Sequence, residues 1–303
     1  MNIIFIFIDG LGVGQFNTES NPCTSEQLTI FNNFLDRSRQ KPLLYNGHVK
    51  FIDATLGVPG LPQSATGQSA LLTGVNTAKI LGRHLSGFPN QTLRDIIESE
   101  SILTKCTQRG LKAAFINSYR PIFFEHGPEA LVRYLSVTSI ANWKAGLKFF
   151  TFDDLRNQRS IYHDYTNREI LQKELGDVPI FSAEKAGTIL AKAAANYDFC
   201  LYEYFKTDRA GHAQNITHAI EILTGLEKLI LTTIEHLHLP DSLVIVTSDH
   251  GNIEDLSVKT HTRNPVPLLA WGKTAGELLS GVSSIQEIVP HITENLPDRL
   301  QHI

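Results

Sequence analysis

Cysteine is scarce in this chain: three thiols in 303 residues, Cys23, Cys106 and Cys200, at no spacing that suits a metal site or a disulfide framework. An odd number of widely separated cysteines predicts reduced thiols, and with them a cytoplasmic protein. Positive charge is not in excess either. The net charge is -4 and no basic stripe runs along the chain, which argues against a sequence-independent grip on nucleic acid. Long hydrophobic runs are missing as well. The N-terminal run Ile3 to Ile8 stops at Asp9-Gly10, far short of a membrane span, and has no basic flank or small-residue cleavage site. It reads as a buried strand, with neither export nor membrane insertion expected. There is no internal repeat and no low-complexity linker.

What is present is a chain long enough to bury a sizeable core, 42% apolar and 19% charged. Strand-like and helix-like stretches alternate, which predicts an α/β fold of three αβα layers around a mostly parallel sheet. Residues 2–8, 49–53, 112–116, 198–205 and 243–246 read as strands. Residues 26–37, 65–73, 183–196, 216–237 and 285–296 read as helices, and 92–118 as a helix, Gly110 and then a strand. From Tyr119 to about Pro179 the alternation lapses, and aromatic and basic residues intermingle. The expected organisation is a core of residues 1–118 and 180–303 with 119–179 inserted as a small cap. An ordinary helical excursion packed on the core is the alternative.

The stretch around which the chain is organised is 242–272. A buried strand ends there in Ser248-Asp249-His250-Gly251, and His261 follows eleven residues after His250. A carboxylate and two imidazoles at the mouth of a buried strand are costly without a charged partner, and a metal ion is the simplest one that uses all three. An Asp-His pair by itself also serves to cap a loop. Two further strands end in the same way: Asp9 follows the first, and Asp208 follows the strand before Lys206. Asp208 and His212 stand four apart, so one helical turn points both in one direction, a spacing that suits metal ligands or a surface ion pair. Ends of parallel strands share one edge of the sheet, where open α/β folds place their ligands. His261 precedes its strand, so that strand is antiparallel or its leading loop crosses the top. The glycines of Gly10-Leu11-Gly12-Val13-Gly14 are not spaced as a dinucleotide loop. Ser64 falls where a Pro- and Gly-rich entry gives way to a helix closed by Gly74. A serine there is an N-cap, or a nucleophile whose negative charge the helix terminus supports.

Taken in order, Asp9-Gly10, Ser64 nine residues before Thr73-Gly74, Asp208-x-x-x-His212, Ser248-Asp249-His250-Gly251-Asn252 and His261-Thr262-Arg263-Asn264-Pro265-Val266-Pro267 resemble the alkaline phosphatase superfamily. The likeness is to its branch with cofactor-independent phosphoglycerate mutase and phosphopentomutase. That resemblance implies two divalent metal ions, Mn2+ or Zn2+. Asp9, Ser64, Asp249 and His250 would hold one; Asp208, His212 and His261 would hold the other. It further implies Ser64 as a phosphorylated nucleophile acting on a small phosphorylated substrate. Arg83, His84, Lys206 and Asn252 border the motifs and are candidate substrate contacts, Arg83 and His84 equally at home as a solvated loop pair. The mutases carry a large second domain that keeps water out. A cap of about sixty residues, judged from where the alternation lapses, shields less and favours hydrolysis of a phosphate mono- or diester. A phosphomutase is the alternative, and a catalytically silent ligand-binding member a third reading that the filled ligand positions disfavour.

Overall fold

The computed structural model describes residues 2–34, 43–297 and 299. Six strands form one sheet: β1 (Asn2–Ile8), β2 (His48–Ile52), β3 (Ala113–Phe115), β4 (Phe199–Tyr204), β5 (Ser242–Ser248) and β6 (Val266–Trp271), in the order β2-β6-β5-β1-β4-β3. β1 lies at the centre, parallel to both β4 and β5, with Ile8 opposite Tyr204 on one side and Ser248 on the other. β6 runs antiparallel to β5 and to β2, which resolves how His261 can precede its strand and still reach the shared edge.

The helices are α1 (Ser64–Thr73), α2 (Thr77–Leu81), α3 (Gln91–Glu100), α4 (Ile102–Gln108), α5 (Pro121–Leu131), α6 (Val137–Lys144), α7 (Phe152–Arg156), α8 (Arg168–Gln172), α9 (Ala183–Ala194), α10 (Lys206–Ala213), α11 (Ile216–Glu235), α12 (Ala275–Gly281) and α13 (Ile288–Glu294). β1 explains why two layers form. Its side chains alternate between faces, and from Ile3 to Ile8 every one is buried, so both faces need cover. Ile4, Ile6 and Ile8 pack with α9 and α11; Ile3, Phe5 and Phe7 pack with α1, α3, α4, α6, α12 and α13. Each fully buried Ile or Phe contributes about 1.5–3 kcal/mol.

Two local expectations are corrected. The helix expected over 26–37 is a 3-10 turn at Phe31–Phe34, and 35–37 lie outside the described residues. Its amides are taken by a carboxylate from far along the chain. Thr29, Ile30 and Phe31 donate their N–H groups to Glu227 of α11 at 2.6, 2.8 and 3.1 Å, so they are not free for helix bonds. The helix expected after residue 92 is two helices. Ser101 is extended and caps α4 by accepting from Thr104 N at 3.2 Å.

The segment 119–179 feeds both layers. Leu135, Val137, Ile140 and Ala141 join the α1 side, while Phe150, Leu155, Ile161 and Tyr162 join the α9–α11 side. α5 is bent at Gly127, where φ is 75°, and precedes the 3-10 turn Val132–Tyr134.

Candidate metal centre

β5, β1 and β4 are neighbours, and their carboxyl ends deliver Asp249, Asp9 and, one turn into α10, Asp208 to one rim. Close backbone approach makes this possible at two glycines. Gly10 has φ 73°, and a Cβ there would lie 2.9 Å from Cα of Asp208. Gly67 of α1 faces the other side, where a Cβ would lie 2.9 Å from the Asp249 carbonyl oxygen. Bare backbone at these positions lets α1 and α10 close on the strand ends.

The side chains then converge. Ser64, the first residue of α1, places Oγ 3.0 Å from Nε2 of His250. That nitrogen lies 3.3 Å from Oδ1 of Asp9 and 3.4 Å from Oδ2 of Asp249. On the neighbouring side, Asp208 sits between two imidazoles: His261 Nε2 is 3.3 Å from its Oδ1 and His212 Nε2 is 3.4 Å from its Oδ2. The rings of His250 and His261 stack at 3.8 Å. Ligand atoms of Asp208, His212 and His261 lie within 4.8 Å of one another, and so do those of Asp9, Asp208 and His250. Asp208 therefore faces both groups.

The donor chemistry fits divalent cations. Oδ1 of Asp9 and Oδ2 of Asp249 are buried without a hydrogen-bond partner, an arrangement costly in protein alone and satisfied by a cation. His261 Nδ1 lies 2.9 Å from the Pro62 carbonyl and His212 Nδ1 2.6 Å from the Lys259 carbonyl. A carbonyl only accepts, so each Nδ1 carries the proton and, in the neutral ring, each Nε2 presents a lone pair to the Asp208 carboxylate. Protonation or a shared cation relieves that opposition.

The electrostatics agree. Burial, then the neighbouring Asp249 and Asp208, hold the Asp9 carboxyl well above its ordinary range. Burial followed by Asp208 pushes Asp249 up to about 8. Burial and the adjacent His261 press His250 down to about 3, leaving a neutral imidazole. Burial would raise Asp208, but bonds to His261 and Asn252 and the charge of His261 bring it to about 2. Three carboxylates crowd a space with too little positive charge of its own.

The four candidate substrate contacts fare differently. Asn252 is buried and donates from Nδ2 to Oδ1 of Asp208 at 2.6 Å, so it orients that carboxylate. Lys206 turns to the segment 119–179, with Nζ 3.7 Å from Asp164 and 3.6 Å from Glu169. Arg83 is exposed in the loop after α2, and His84 is partly buried beside Gly60.

Other side chains at the rim escaped sequence reasoning. Gln68 donates to Oδ2 of Asp9 at 3.3 Å; its position four residues after Ser64, on the same helix face, was an available signal. Thr207 donates its hydroxyl to the Asp9 carbonyl. Glu254, buried, accepts from Gly12 N at 2.8 Å, Asn252 N at 2.7 Å, Asn264 Nδ2 at 3.1 Å and the Thr262 hydroxyl. One carboxylate thus ties the loops that carry Asp9, His250 and His261. No local pattern marks it.

Residues 177–297 match the family model of the Metalloenzyme superfamily. Among curated proteins, the chain is 27% identical over 124 residues to a 2,3-bisphosphoglycerate-independent phosphoglycerate mutase of Desulforudis audaxviator, covering 39% of this chain and 24% of that one. It is 36% identical over 76 residues to a mutase of the same description from Thermococcus gammatolerans, covering 25% and 18%. The matches therefore span about a quarter or less of those relatives' own length. Among solved structures, the alkaline phosphatase of the Antarctic bacterium TAB5 superposes with a TM-score of 0.55 at 16% identity, covering 97% of this chain and 98% of that one, which shows the fold. Residues 177–297 are thus similar to the Metalloenzyme superfamily, and the chain as a whole has an alkaline phosphatase-like fold.

Proposed function

We propose that the protein is a metal-dependent phosphoryl-transfer enzyme that hydrolyses a phosphate ester of a small metabolite through Ser64. The observation that carries this reading is the Ser64 hydroxyl, at the start of a helix and 3.0 Å from His250, beside buried Asp9 and Asp249 oxygens that lack partners. Asp9, Ser64, Asp249 and His250 would hold one divalent ion, and Asp208, His212 and His261 a second, with Mn2+ or Zn2+ both compatible with oxygen and imidazole donors. Bound there, such ions supply charge stabilisation to a phosphoryl group and favour ionised Ser64.

The chain's own residues do the rest. α1 orients Ser64 at the rim, and the positive end of its dipole favours an anion in front of it. Gln68 and Thr207 steady Asp9, Asn252 steadies Asp208, and Glu254 holds the three loops in register. Ser64 Oγ forms a bond to phosphorus as the bond to the alcohol oxygen breaks; the serine loses a proton and the alcohol gains one. Water then takes the phosphoryl group from Ser64 as free phosphate.

Hydrolysis is preferred to intramolecular transfer because the inserted segment is short and much of it is built into the apolar layers, leaving Ser64 partly exposed to water. A phosphomutase is the second reading, supported by the mutases among the curated relatives. A panel of phosphorylated metabolites, assayed with Mn2+ and then Zn2+ for both phosphate and isomer, separates the two. The expected result is phosphate release that Ser64→Ala reduces by at least a thousandfold, on the scale of losing a nucleophile. Turnover that survives Ser64→Ala removes the covalent route.

A further inference from the structure

Beside the Ser64 rim, the carboxyl ends of β3 and β4 open into a cavity of about 640 Å³. Two of its walls are continuous in sequence with elements of the metal centre. Phe205 and Arg209 line it from the start of α10, the helix that carries Asp208 and His212. Phe88 lines it from the loop whose Leu85 amide bonds the Thr66 hydroxyl at the first turn of α1. The cavity is thus walled by the start of the Asp208 helix and by the loop that is bonded to the first turn of the Ser64 helix. Glu203 on its floor is close enough to contribute to the raised Asp9 carboxyl.

The lining is aromatic with one buried acid. Tyr119 and Phe123 meet at 4.4 Å. At the mouth Phe88 and Tyr134 touch edge-on at 6.3 Å, yet are 51% and 71% exposed, ring surface that no protein group covers. Glu203 is 5% exposed. Its Oε2 accepts from the Thr138 hydroxyl at 2.5 Å, while Oε1 has no hydrogen-bond partner among the described residues and the side chain faces the cavity. An acid oxygen open to the cavity can accept a hydrogen bond from a ligand donor.

We propose that this cavity binds the alcohol half of the substrate and that this half carries a nucleobase, its flat ring among Tyr119, Phe123, Phe88 and Tyr134 and an N–H donated to Glu203. The proposal rests on the phosphoryl-transfer reading of Ser64. A cavity of this size suits a nucleoside and is lined as small-molecule sites are, by apolar rings with few polar anchors. A three-carbon phosphoacid has neither a ring to stack nor an N–H donor, and would leave most of the space unfilled. Stacking of bases on aromatic side chains is sequence-tolerant, so purine and pyrimidine are both accommodated.

The test compares kcat/KM for phosphate release from adenosine and cytidine 5′-monophosphates with that from ribose 5-phosphate, using the metal-loaded full chain. Stacking and one buried hydrogen bond together predict a preference of about 100-fold for the nucleotides. Phe88→Ala and Tyr134→Ala, at exposed positions that leave the core intact, should each lower the nucleotide-to-ribose-phosphate ratio about tenfold, through KM. Glu203→Gln should lower the same ratio. Calorimetric binding of adenosine to Ser64→Ala, lost on adding Phe88→Ala, reads the cavity without any chemistry. Equal kcat/KM for nucleotide and ribose phosphate overturns the cavity assignment and leaves phosphoryl transfer standing. Adenosine binding without turnover of any ester overturns the Ser64 reading and leaves the cavity assignment standing; failure of both arms overturns both.

Discussion

At Glu254 one carboxylate accepts four hydrogen bonds from three loops, and no water can replace a partner at a buried position. Hydrogen bonds to a charged group are worth about 1.5–3 kcal/mol each, so this residue is a positioning element with a large stake in the rim. Glu254→Gln keeps the size but puts an amide N–H against donors, at Gly12 and Asn252 or at Thr262 and Asn264. The expected outcome is metal affinity weaker by about 10–100-fold, as for other groups that orient ligands, with the far-ultraviolet spectrum unchanged. Metal titration followed by calorimetry checks it, and unchanged affinity would show that the loops hold their register without this carboxylate. Ser64 and Glu254 differ in how visible they are beforehand. Ser64 sits at a helix start that composition marks, whereas the partners of Glu254 at Gly12 lie 242 residues away.

α1 has to come close to the Asp249 loop for Ser64 to reach His250, and Gly67 is where the two backbones nearly touch. In an exposed helix interior, Gly→Ala gains about 1 kcal/mol of helix stability. Here the sign should reverse, because the added methyl meets a carbonyl oxygen at 2.9 Å and not a flexible side chain. Gly67→Ala is expected to lower thermal stability and to reduce kcat by about 100-fold through displacement of Ser64, with substrate binding less affected. A variant that melts higher and turns over normally would mean that α1 has slack. The same element scale shows what pattern reading reaches. α9 and α11 carry their periodicity in their own residues and α1 its helix formers and closing Gly74, so their spans follow within a few positions. The stretch 26–37 does not, since the Glu227 carboxylate competes for its amides from another layer.

Across the whole molecule the buried carboxylates link metal binding to stability. Asp249 is raised to about 8 by burial and Asp208, far above its value in the unfolded chain. An acid raised on folding contributes stability that is complete below the unfolded pKa and is lost as pH climbs through the folded one. Protein stripped with a chelator should therefore lose melting temperature steadily from about pH 4 to about pH 8, the window between those two values. Divalent metal binds the ionised forms, so its stabilising increment should grow over the same range. Melting curves with chelator and with Mn2+ at several pH values test this; an increment constant with pH would place the metal away from Asp249. In the core, Ile6→Ala removes a fully buried side chain between β1 and the α9–α11 layer and should cost about 2–5 kcal/mol in denaturant unfolding. Among the described residues no helix is long and apolar enough to cross a membrane.

By itself the sequence determined the alternation of strands and helices, the central apolar strand and the aspartates that follow three strands. Each of these follows from the burial demands of neighbouring residues, which local order carries. Only the tertiary structure decided that β6 runs antiparallel, that the segment 119–179 feeds both apolar layers, and that Glu254 and Gln68 brace the rim. Those outcomes depend on hydrogen-bond and packing partners far apart along the chain. Distance between partners in sequence leaves no periodic trace at either one.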